Sequence, residues 1–337
     1  MTLDWLSLAE WAAKSLILIS LLLIGFAYLT LFERRVLAKM QVRIGPNRAG
    51  PFGILQPIAD GVKLIFKEEL IPDKADKVVF VLAPVITLIP ALIILAVVPF
   101  GPPIEIGGRV IPMGIADGLN VGVLYIMAVA SVAVYGITLA GWSSNNKYAL
   151  LGGLRSSAQM VSYEIALGLS FIGPILLANS MSMRSIVEAQ QGWWFILVQP
   201  IGFVIFLIAT VAEVNRAPFD MPEAEQELAA GYHVEYSGMK FALMFMAEYD
   251  KMIAVAAIGA SLFLGGYWGP WVDQVPLLGP LYLFLKVVAI LFLMIWMRAT
   301  LPRLRYDRLM AFGWKVMLPL ALVNVVLTAG LVLVVGG

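Results

Sequence analysis

Residues 211–238 read VAEVNRAPFDMPEAEQELAAGYHVEYSG, and long apolar runs at 193–212 and 241–266 flank this polar stretch. Its only permanent cation is Arg216, and it also holds the single histidine of the chain, His233. Six of the chain's 22 acidic residues lie in it, namely Glu213, Asp220, Glu223, Glu225, Glu227 and Glu235. Ionised carboxylates are costly to hold between membrane helices. The stretch is therefore a candidate for binding cations or relaying protons.

The composition predicts an all-α polytopic integral membrane protein with a single membrane domain, residues 1–337. The chain is 61% hydrophobic and only 13% charged, about half the charged fraction of soluble domains. Its apolar runs are roughly 20 residues long, which is the length of a membrane-spanning helix. With no cysteine, the chain cannot bind an iron–sulfur cluster through thiolates. A metal site at the lone His233 is not expected, so any redox centre must belong to another subunit or a diffusible molecule.

About eight spans are predicted, at 12–32, 78–99, 119–141, 157–178, 193–212, 241–265, 279–297 and 316–336. The loops 33–77, 142–156, 213–240 and 298–315 hold 18 Lys and Arg residues, against three on the other side of the membrane. By the positive-inside rule these four loops face the cytoplasm. Both termini then face the outer, periplasmic side of a cell inner membrane, or the corresponding side of an organelle inner membrane.

Part of the first cytoplasmic loop has the pattern of an amphipathic helix. Residues 53–69 read GILQPIADGVKLIFKEE and repeat apolar residues at helical spacing, with polar residues on the opposite face. The segment is too short and too charged to span, so we expect it to lie in the membrane interface. It could border a lateral opening for a lipid-soluble ligand, or be only a surface anchor. A second loop, 100–118, predicts a short hairpin at Gly107-Gly108.

Several ionisable residues fall inside predicted spans. Glu164 lies in the fourth span, and Glu248, Asp250 and Lys251 lie in the sixth. Ionisable groups at such depth are candidates for ion binding or proton relay. Glu248 and Lys251 are three residues apart and could instead form a structural pair on one helix face.

The acidic loop has a local signal of its own. Asp220-Met-Pro-Glu223 has the spacing of a capping box, so a helix starting there would place Glu223 and Glu227 on one face. The alternative is a solvated loop whose carboxylates only favour a helix N-terminus. Two other charged groups have simple interpretations as well. Glu33-Arg34-Arg35 has the form of a stop-transfer signal. The four arginines Arg298, Arg303, Arg305 and Arg308 could determine topology or dock an acidic partner.

Four long segments carry a resemblance to a known family. They are ERRVLAKMQVRIGPNRAGPFGILQPIADGVKLIFKEE at 33–69, GWSSNNKYALLGGLRSSAQMVSYEI at 141–165, EVNRAPFDMPEAEQELAAGYHVEYSGMKFALMFMAEY at 213–249 and RATLPRLRYDRLMAFGWKVMLP at 298–319. The chain resembles the quinone-site membrane subunit, of the H or 1 type, of respiratory complex I, the proton-translocating NADH:quinone oxidoreductase.

The resemblance implies a role in a large redox enzyme with no redox centre in this chain. Quinone would be the substrate, while flavin and iron–sulfur clusters would belong to partner subunits. The chain would form part of a quinone chamber, with Glu33, Arg34 and Asp60 lining the chamber or its mouth. A proton or charge relay would lead away from the chamber through Glu164, Glu213, Glu223, Glu225, Glu227, Glu235 and Glu248.

The implied partners are the peripheral-arm quinone-site subunits and the small membrane subunits that lead to antiporter-like subunits, together with lipid and quinone but not nucleic acid. An alternative from the same superfamily is the membrane anchor of an energy-converting hydrogenase or ferredoxin-linked complex. The intact GPNRAG and FDMPEAEQELAAGYHVEY runs favour the quinone enzyme. The lack of an internal repeat weighs against a stand-alone ion transporter, and the buried carboxylates weigh against a purely structural scaffold.

Overall fold

The computed structural model describes residues 5–106, 109–221 and 231–335. This part of the chain is mostly helical, with one two-stranded sheet. The helices are α1 (Trp5–Met40), α2 (Gln56–Phe66), α3 (Lys77–Ile93), α4 (Gly122–Ser143), α5 (Lys147–Ala178), α6 (Met183–Glu188), α7 (Phe195–Val198), α8 (Pro200–Glu213), α9 (Gly238–Phe263), α10 (Leu278–Thr300), α11 (Tyr306–Phe312) and α12 (Leu318–Val335). The strands are β1 (Ile104–Ile106) and β2 (Arg109–Ile111).

Six helical segments of the described chain are long and apolar enough to cross a membrane. They are Ser7–Met40, Lys77–Val97, Gly122–Ser143, Lys147–Ala178, Leu278–Thr300 and Tyr306–Val334. This establishes the polytopic helical class predicted from the composition. The six segments coincide with six of the eight predicted spans, and the two remaining spans, at 193–212 and 241–265, coincide with α7–α8 and α9.

Neither α8 nor α9 is among the six segments that are long and apolar enough to cross a membrane, and the two helices differ from those segments for separate physical reasons. The fifth predicted span is broken at Gln199 and Pro200, so α8 has only 14 residues, or about 21 Å at 1.5 Å per residue. The helix α9 has 26 residues, which is long enough, but it carries Glu248, Asp250 and Lys251 in its middle. The charges that make α9 a candidate site are therefore also what separate it from an ordinary apolar span.

Three helices extend well beyond their predicted spans. The helix α5 starts at Lys147, ten residues before the predicted start at 157, and so includes most of the predicted loop 142–156. The helix α1 continues through Glu33 to Met40 instead of ending at the charged triplet. The last helical segment begins at Tyr306, before the predicted start at 316, and includes a π-turn at Gly313–Met317. Polar residues mark where apolar character stops, but helical hydrogen bonding continues past that point.

The shorter predicted elements are present. The hairpin forms as an antiparallel β1–β2 pair, in which Glu105 faces Val110. The amphipathic segment 53–69 forms α2, which has no buried residue. Its predicted apolar face is exposed at Ile54, Leu55, Ile58, Val62 and Ile65.

Small residues let the helices pack closely around the acidic stretch. The helix α9 contacts α1, α3, α8 and α10 and buries a run of alanines. Gly141 of α4 faces Gly153 of α5, where a Cβ on Gly153 would lie 3.3 Å from the Gly141 Cα. Close approach through small residues is the usual way in which membrane helices associate, because lipid offers no hydrophobic drive between them. Gly152 of α5 contacts the backbone at Gly231, the first described residue after 221.

We predict that Gly152→Ala destabilises the protein by about 1–3 kcal/mol, the usual cost of overpacking. A Cβ at this position would lie 2.6 Å from the Gly231 Cα, and backbone atoms cannot yield as a flexible side chain can. The measurement is the temperature at which the detergent-solubilised protein loses its helical circular dichroism. Gly330→Ala is the matched control, because a Cβ there meets no atom of the described chain within 4 Å. Equal melting of the two variants would show that this backbone contact does not constrain the fold.

Candidate functional site

The described parts of the acidic stretch are held against α5 by one buried glutamine. Gln159 donates from its amide nitrogen to the backbone oxygens of Ala212 and Phe219, both at 2.7 Å. The same nitrogen lies 3.1 Å from the Asn215 side-chain oxygen. These contacts fix the turn that follows α8, and they therefore fix the position of Glu213 at the end of that helix.

Glu213 forms an ion pair with a lysine of α9. The Lys251 Nζ lies 2.9 Å from Glu213 Oε1 and 3.4 Å from the Glu213 backbone oxygen. Both side chains are buried. Glu164, on α5, accepts a hydrogen bond from Ser131, and the charges of Glu213 and Lys251 both act on its carboxyl. Glu213 and Lys251 thus join α8 to α9 directly, and Glu164 is close enough to this pair for its carboxyl to be affected by their charges.

Glu248 lies one helical turn from Lys251 and has a different set of partners. Its carboxylate is 3.4 Å from Arg216 Nη2, accepts a hydrogen bond of 3.1 Å from the Tyr232 hydroxyl and lies 3.6 Å from His233 Nε2. The structure therefore brings together α9 and both described ends of the acidic stretch. The only histidine of the sequence, His233, therefore lies beside a carboxylate, and the two can form an ion pair only when the imidazole is protonated.

A cavity of about 30 Å³ lies beside these two carboxylates. Glu213, Asn215, Tyr232, Glu248 and Lys251 line it, whereas most of the other lining residues are apolar. A cavity of this size is sufficient for at least one water molecule when polar groups surround it. Glu213 and Glu248 therefore border one common space.

A second set of contacts connects Glu248 to α1. The Arg216 guanidinium lies over the ring of Tyr249, 4.4 Å from its centroid, and the Tyr249 hydroxyl donates a hydrogen bond of 2.6 Å to Glu33. Glu33 is only 3% exposed and is paired with Arg298 of α10. The charged triplet after the first apolar run therefore contributes a buried, paired carboxylate and not only a stop-transfer signal.

The remaining predicted residues lie apart from this network or outside the described chain. Arg34 and Asp60 pair at 2.7 Å and join α1 to α2 near the surface. Glu235 accepts a hydrogen bond of 2.7 Å from Asn146. Glu223, Glu225 and Glu227, with the helix predicted from Asp220, fall on 222–230, outside the described residues.

An aromatic contact fixes the segment that carries Glu235. Tyr236 stacks on Phe80 with a centroid distance of 4.1 Å and donates a hydrogen bond of 3.2 Å to the Phe80 carbonyl. Burial raises the pKa of Tyr236 to about 12, so the phenol remains a neutral donor. This end of the acidic stretch is therefore anchored to α3.

Sequence reasoning missed several partners. Glu248 and Lys251, which their spacing would allow to pair, have partners on other elements, and Arg298 pairs with Glu33. Tyr232 and Tyr249 received no role from the sequence, although each lies next to a candidate, His233 and Glu248. A tyrosine beside an intramembrane carboxylate is a usable signal, since its hydroxyl can donate a hydrogen bond to the charged group.

Asp250 differs from the adjacent residues Tyr249 and Lys251. It is fully buried, and its carboxyl oxygens have no hydrogen-bond partner in the described chain.

The contacts form one buried, polar path across a helical membrane protein. It runs from Arg298 and Glu33 through Tyr249 and Arg216 to Glu248, and then across the cavity to Glu213 and Lys251. Such alternation of acids, cations and hydroxyls can redistribute charge and protons. Within the described ranges, no group of three His, Cys, Asp or Glu residues is arranged to hold a metal ion. Fold and site together define a polytopic membrane protein with an internal carboxylate network.

The chain belongs to the NADH dehydrogenase family, whose family model matches residues 13–329. It is 54% identical over 326 residues to an H subunit of the NADH-quinone oxidoreductase of Geobacter metallireducens, covering 94% of this chain and 93% of the relative. It is 52% identical over 336 residues to the NADH-quinone oxidoreductase H subunit of Thermomicrobium roseum, covering 97% of both. A third relative, an NADH-quinone oxidoreductase H subunit of Syntrophobacter fumaroxidans, is 51% identical over 96% of each chain.

We predict that Gln159→Leu lowers stability by about 1–3 kcal/mol, because buried acceptors around the acidic stretch lose their donor. The melting temperature of the purified protein in detergent measures the effect. Gln274→Leu is the control, since Gln274 is exposed and makes no described side-chain contact. A Gln159→Leu variant that melts with the control would indicate that other contacts are sufficient to hold this segment.

Proposed function

We propose that this chain is the quinone-site membrane subunit of a proton-translocating NADH:quinone oxidoreductase. The observation that carries the proposal is the buried path from Glu33 to Glu213, which joins the C-terminal part of α1 to the end of α8. Family membership and the names of three relatives that match over nearly the whole chain support it. The same names favour the quinone enzyme over a hydrogenase anchor.

In this proposal, quinone reaches its chamber beside α1 and α2. The apolar face of α2 is exposed in the isolated chain, as expected of a helix that lies against lipid or a lipid-soluble ligand. The Arg34–Asp60 pair bridges α1 and α2 at this place. Glu33, Arg34 and Asp60 would line the chamber or its mouth, and peripheral-arm subunits would complete the chamber and carry the flavin and iron–sulfur centres.

The carboxylates would then couple quinone reduction to proton translocation. Reduction changes the charge beside the acidic stretch, and a buried network responds strongly to a nearby charge because little water screens it. Glu33 and Glu248 are connected through Tyr249 and Arg216, so a change at one affects the other. Protons would pass on through Glu213 and Glu164 toward antiporter-like subunits. Glu223, Glu225, Glu227 and Glu235 would belong to the same relay.

The proposed topology has eight spans, with α8 and α9 crossing alongside the six apolar segments. The ion pairs of Glu248 and Lys251 offset the cost of these two charges of α9, and α8 is extended by α7 across the break at Gln199. The excess of Lys and Arg supports cytoplasmic loops at 33–77, 142–156, 213–240 and 298–315. Both termini would lie on the periplasmic side of the inner membrane.

We predict that Glu213→Gln and Glu227→Gln each lower the rate of quinone-linked proton pumping by about tenfold or more. NADH oxidation by an artificial acceptor should continue, because that reaction ends before the membrane arm. Both rates are measured on the complete complex in liposomes. Glu188→Gln is the control, because Glu188 is an exposed carboxylate at the end of α6, outside the path. Normal pumping in both variants would falsify the relay.

We predict that Asp60→Asn raises the KM for quinone by about threefold to tenfold, the value of one lost charge-assisted interaction at a half-exposed site. The substitution weakens the Arg34–Asp60 bridge between α1 and α2. Steady-state quinone reduction by the complete complex gives KM and kcat. Asp73→Asn, an exposed substitution in the same loop, should leave both unchanged. An unchanged KM in Asp60→Asn would remove this pair from the quinone path.

A further inference from the structure

We propose that Lys251 is an exchangeable cation of the relay, which pairs with Glu213 in the present structure and with Glu248 after quinone is reduced. The inference rests on the proposed function and assigns its coupling step to a residue that neither the family nor the relatives' names identify. Each exchange would remove the cation from Glu213 and so oblige that buried carboxylate to take up a proton. The return of Lys251 would release the proton again.

The geometry permits Lys251 to reach both carboxylates. Glu213, Glu248 and Lys251 line the same cavity, so all three border one space. Glu248 and Lys251 are also three residues apart on α9, which places them as neighbours on one helix face. A lysine ammonium on its flexible stem can change partners by rotation of its own side chain, without movement of the helix.

The two existing ion pairs differ in a way that favours exchange. Lys251 and Glu213 are 2.9 Å apart, the distance of a charge-assisted hydrogen bond. Arg216 and Glu248 are 3.4 Å apart, and the guanidinium also lies over the Tyr249 ring. Arg216 is thus shared between Glu248 and Tyr249, whose hydroxyl donates a hydrogen bond to Glu33. A charge change at Glu33 can draw Arg216 toward α1 and leave Glu248 with less compensation.

A buried carboxylate that loses its cation must gain another cation or a proton. Lys251 supplies the cation for Glu248 from the same helix face. Glu213 is then the carboxylate left without compensation, and it takes up a proton from water or a carboxylic acid of the relay, which is reprotonated in turn from bulk water. Reduction of quinone in the chamber in this way leads to protonation of Glu213, further along the path.

A second intramembrane lysine provides a matched control. Lys286 of α10 donates to the backbone oxygens of Gly266 and Trp268, at 2.8 and 2.7 Å, and lies over the Trp194 ring. These partners are neutral and fixed, so Lys286 has a structural role. Lys286→Gln removes a half-buried ammonium, whereas Lys251→Gln removes a buried one, but Lys286→Gln should not change the number of protons pumped per NADH oxidised.

The experiment uses the complete complex in liposomes and measures protons pumped per NADH oxidised, with the artificial-acceptor rate as a check on assembly. Lys251→Gln should lower the pumping rate by about 10- to 100-fold. The double variant Lys251→Gln/Glu248→Gln should be no slower than the slower single variant, since the two residues act in one step. A static Lys251–Glu213 pair predicts instead that the two single effects multiply.

Lys251→Arg tests the exchange of partners if the complex does not assemble with Lys251→Gln. Arginine keeps the charge but holds a carboxylate through a rigid, two-point fork. Exchange therefore predicts fewer protons per NADH with an intact artificial-acceptor rate, and a purely structural pair predicts an unchanged ratio. Normal pumping in Lys251→Gln or Lys251→Arg, with loss in Glu213→Gln and Glu248→Gln, would overturn the inference and leave the proposed function standing. Normal pumping in all four variants would overturn both.

Discussion

The cost of placing charge in a medium of low dielectric constant governs this structure. A carboxylate that leaves water loses far more solvation energy than a single packing contact returns, so it needs a cation, hydroxyl or proton close by. The described path meets this requirement at each step: Arg298 and Tyr249 for Glu33, Arg216 and Tyr232 for Glu248, and Lys251 for Glu213. These contacts also connect helices: they join α9 to α1 and α8, and α1 to α10.

The same constraint makes the network responsive. A chain of partners in which each group serves two neighbours cannot lose one charge without a rearrangement of the rest. Arg216 is the clearest case, because it contacts both Glu248 and the Tyr249 ring. Gln159 has the opposite role. The hydrogen bonds of its side-chain amide hold the surrounding backbone in place, so that only the charged side chains can change partners.

Periodicity and charge distribution were sufficient to predict much of this fold. The helical class, α2, the hairpin and helices at the positions of all eight predicted spans follow from apolar spacing and turn residues. The burial of Glu213 and Glu248 follows from their place in or beside apolar runs. Pairing could not be predicted, because it depends on which helices meet. Spacing along α9 allowed a Glu248–Lys251 pair, whereas the tertiary structure gives each residue a partner from the acidic stretch.

The length of α1 has a mechanical consequence. Its 36 residues extend about 54 Å at 1.5 Å per residue, whereas the hydrocarbon layer is about 30 Å thick. A helix this long must tilt or protrude, and the accommodation depends on the thickness of the bilayer. Glu33 lies on the part of α1 that follows the apolar run, so a change of tilt moves this carboxylate in depth. Lipid chain length thereby becomes a variable in the electrostatics of the buried path.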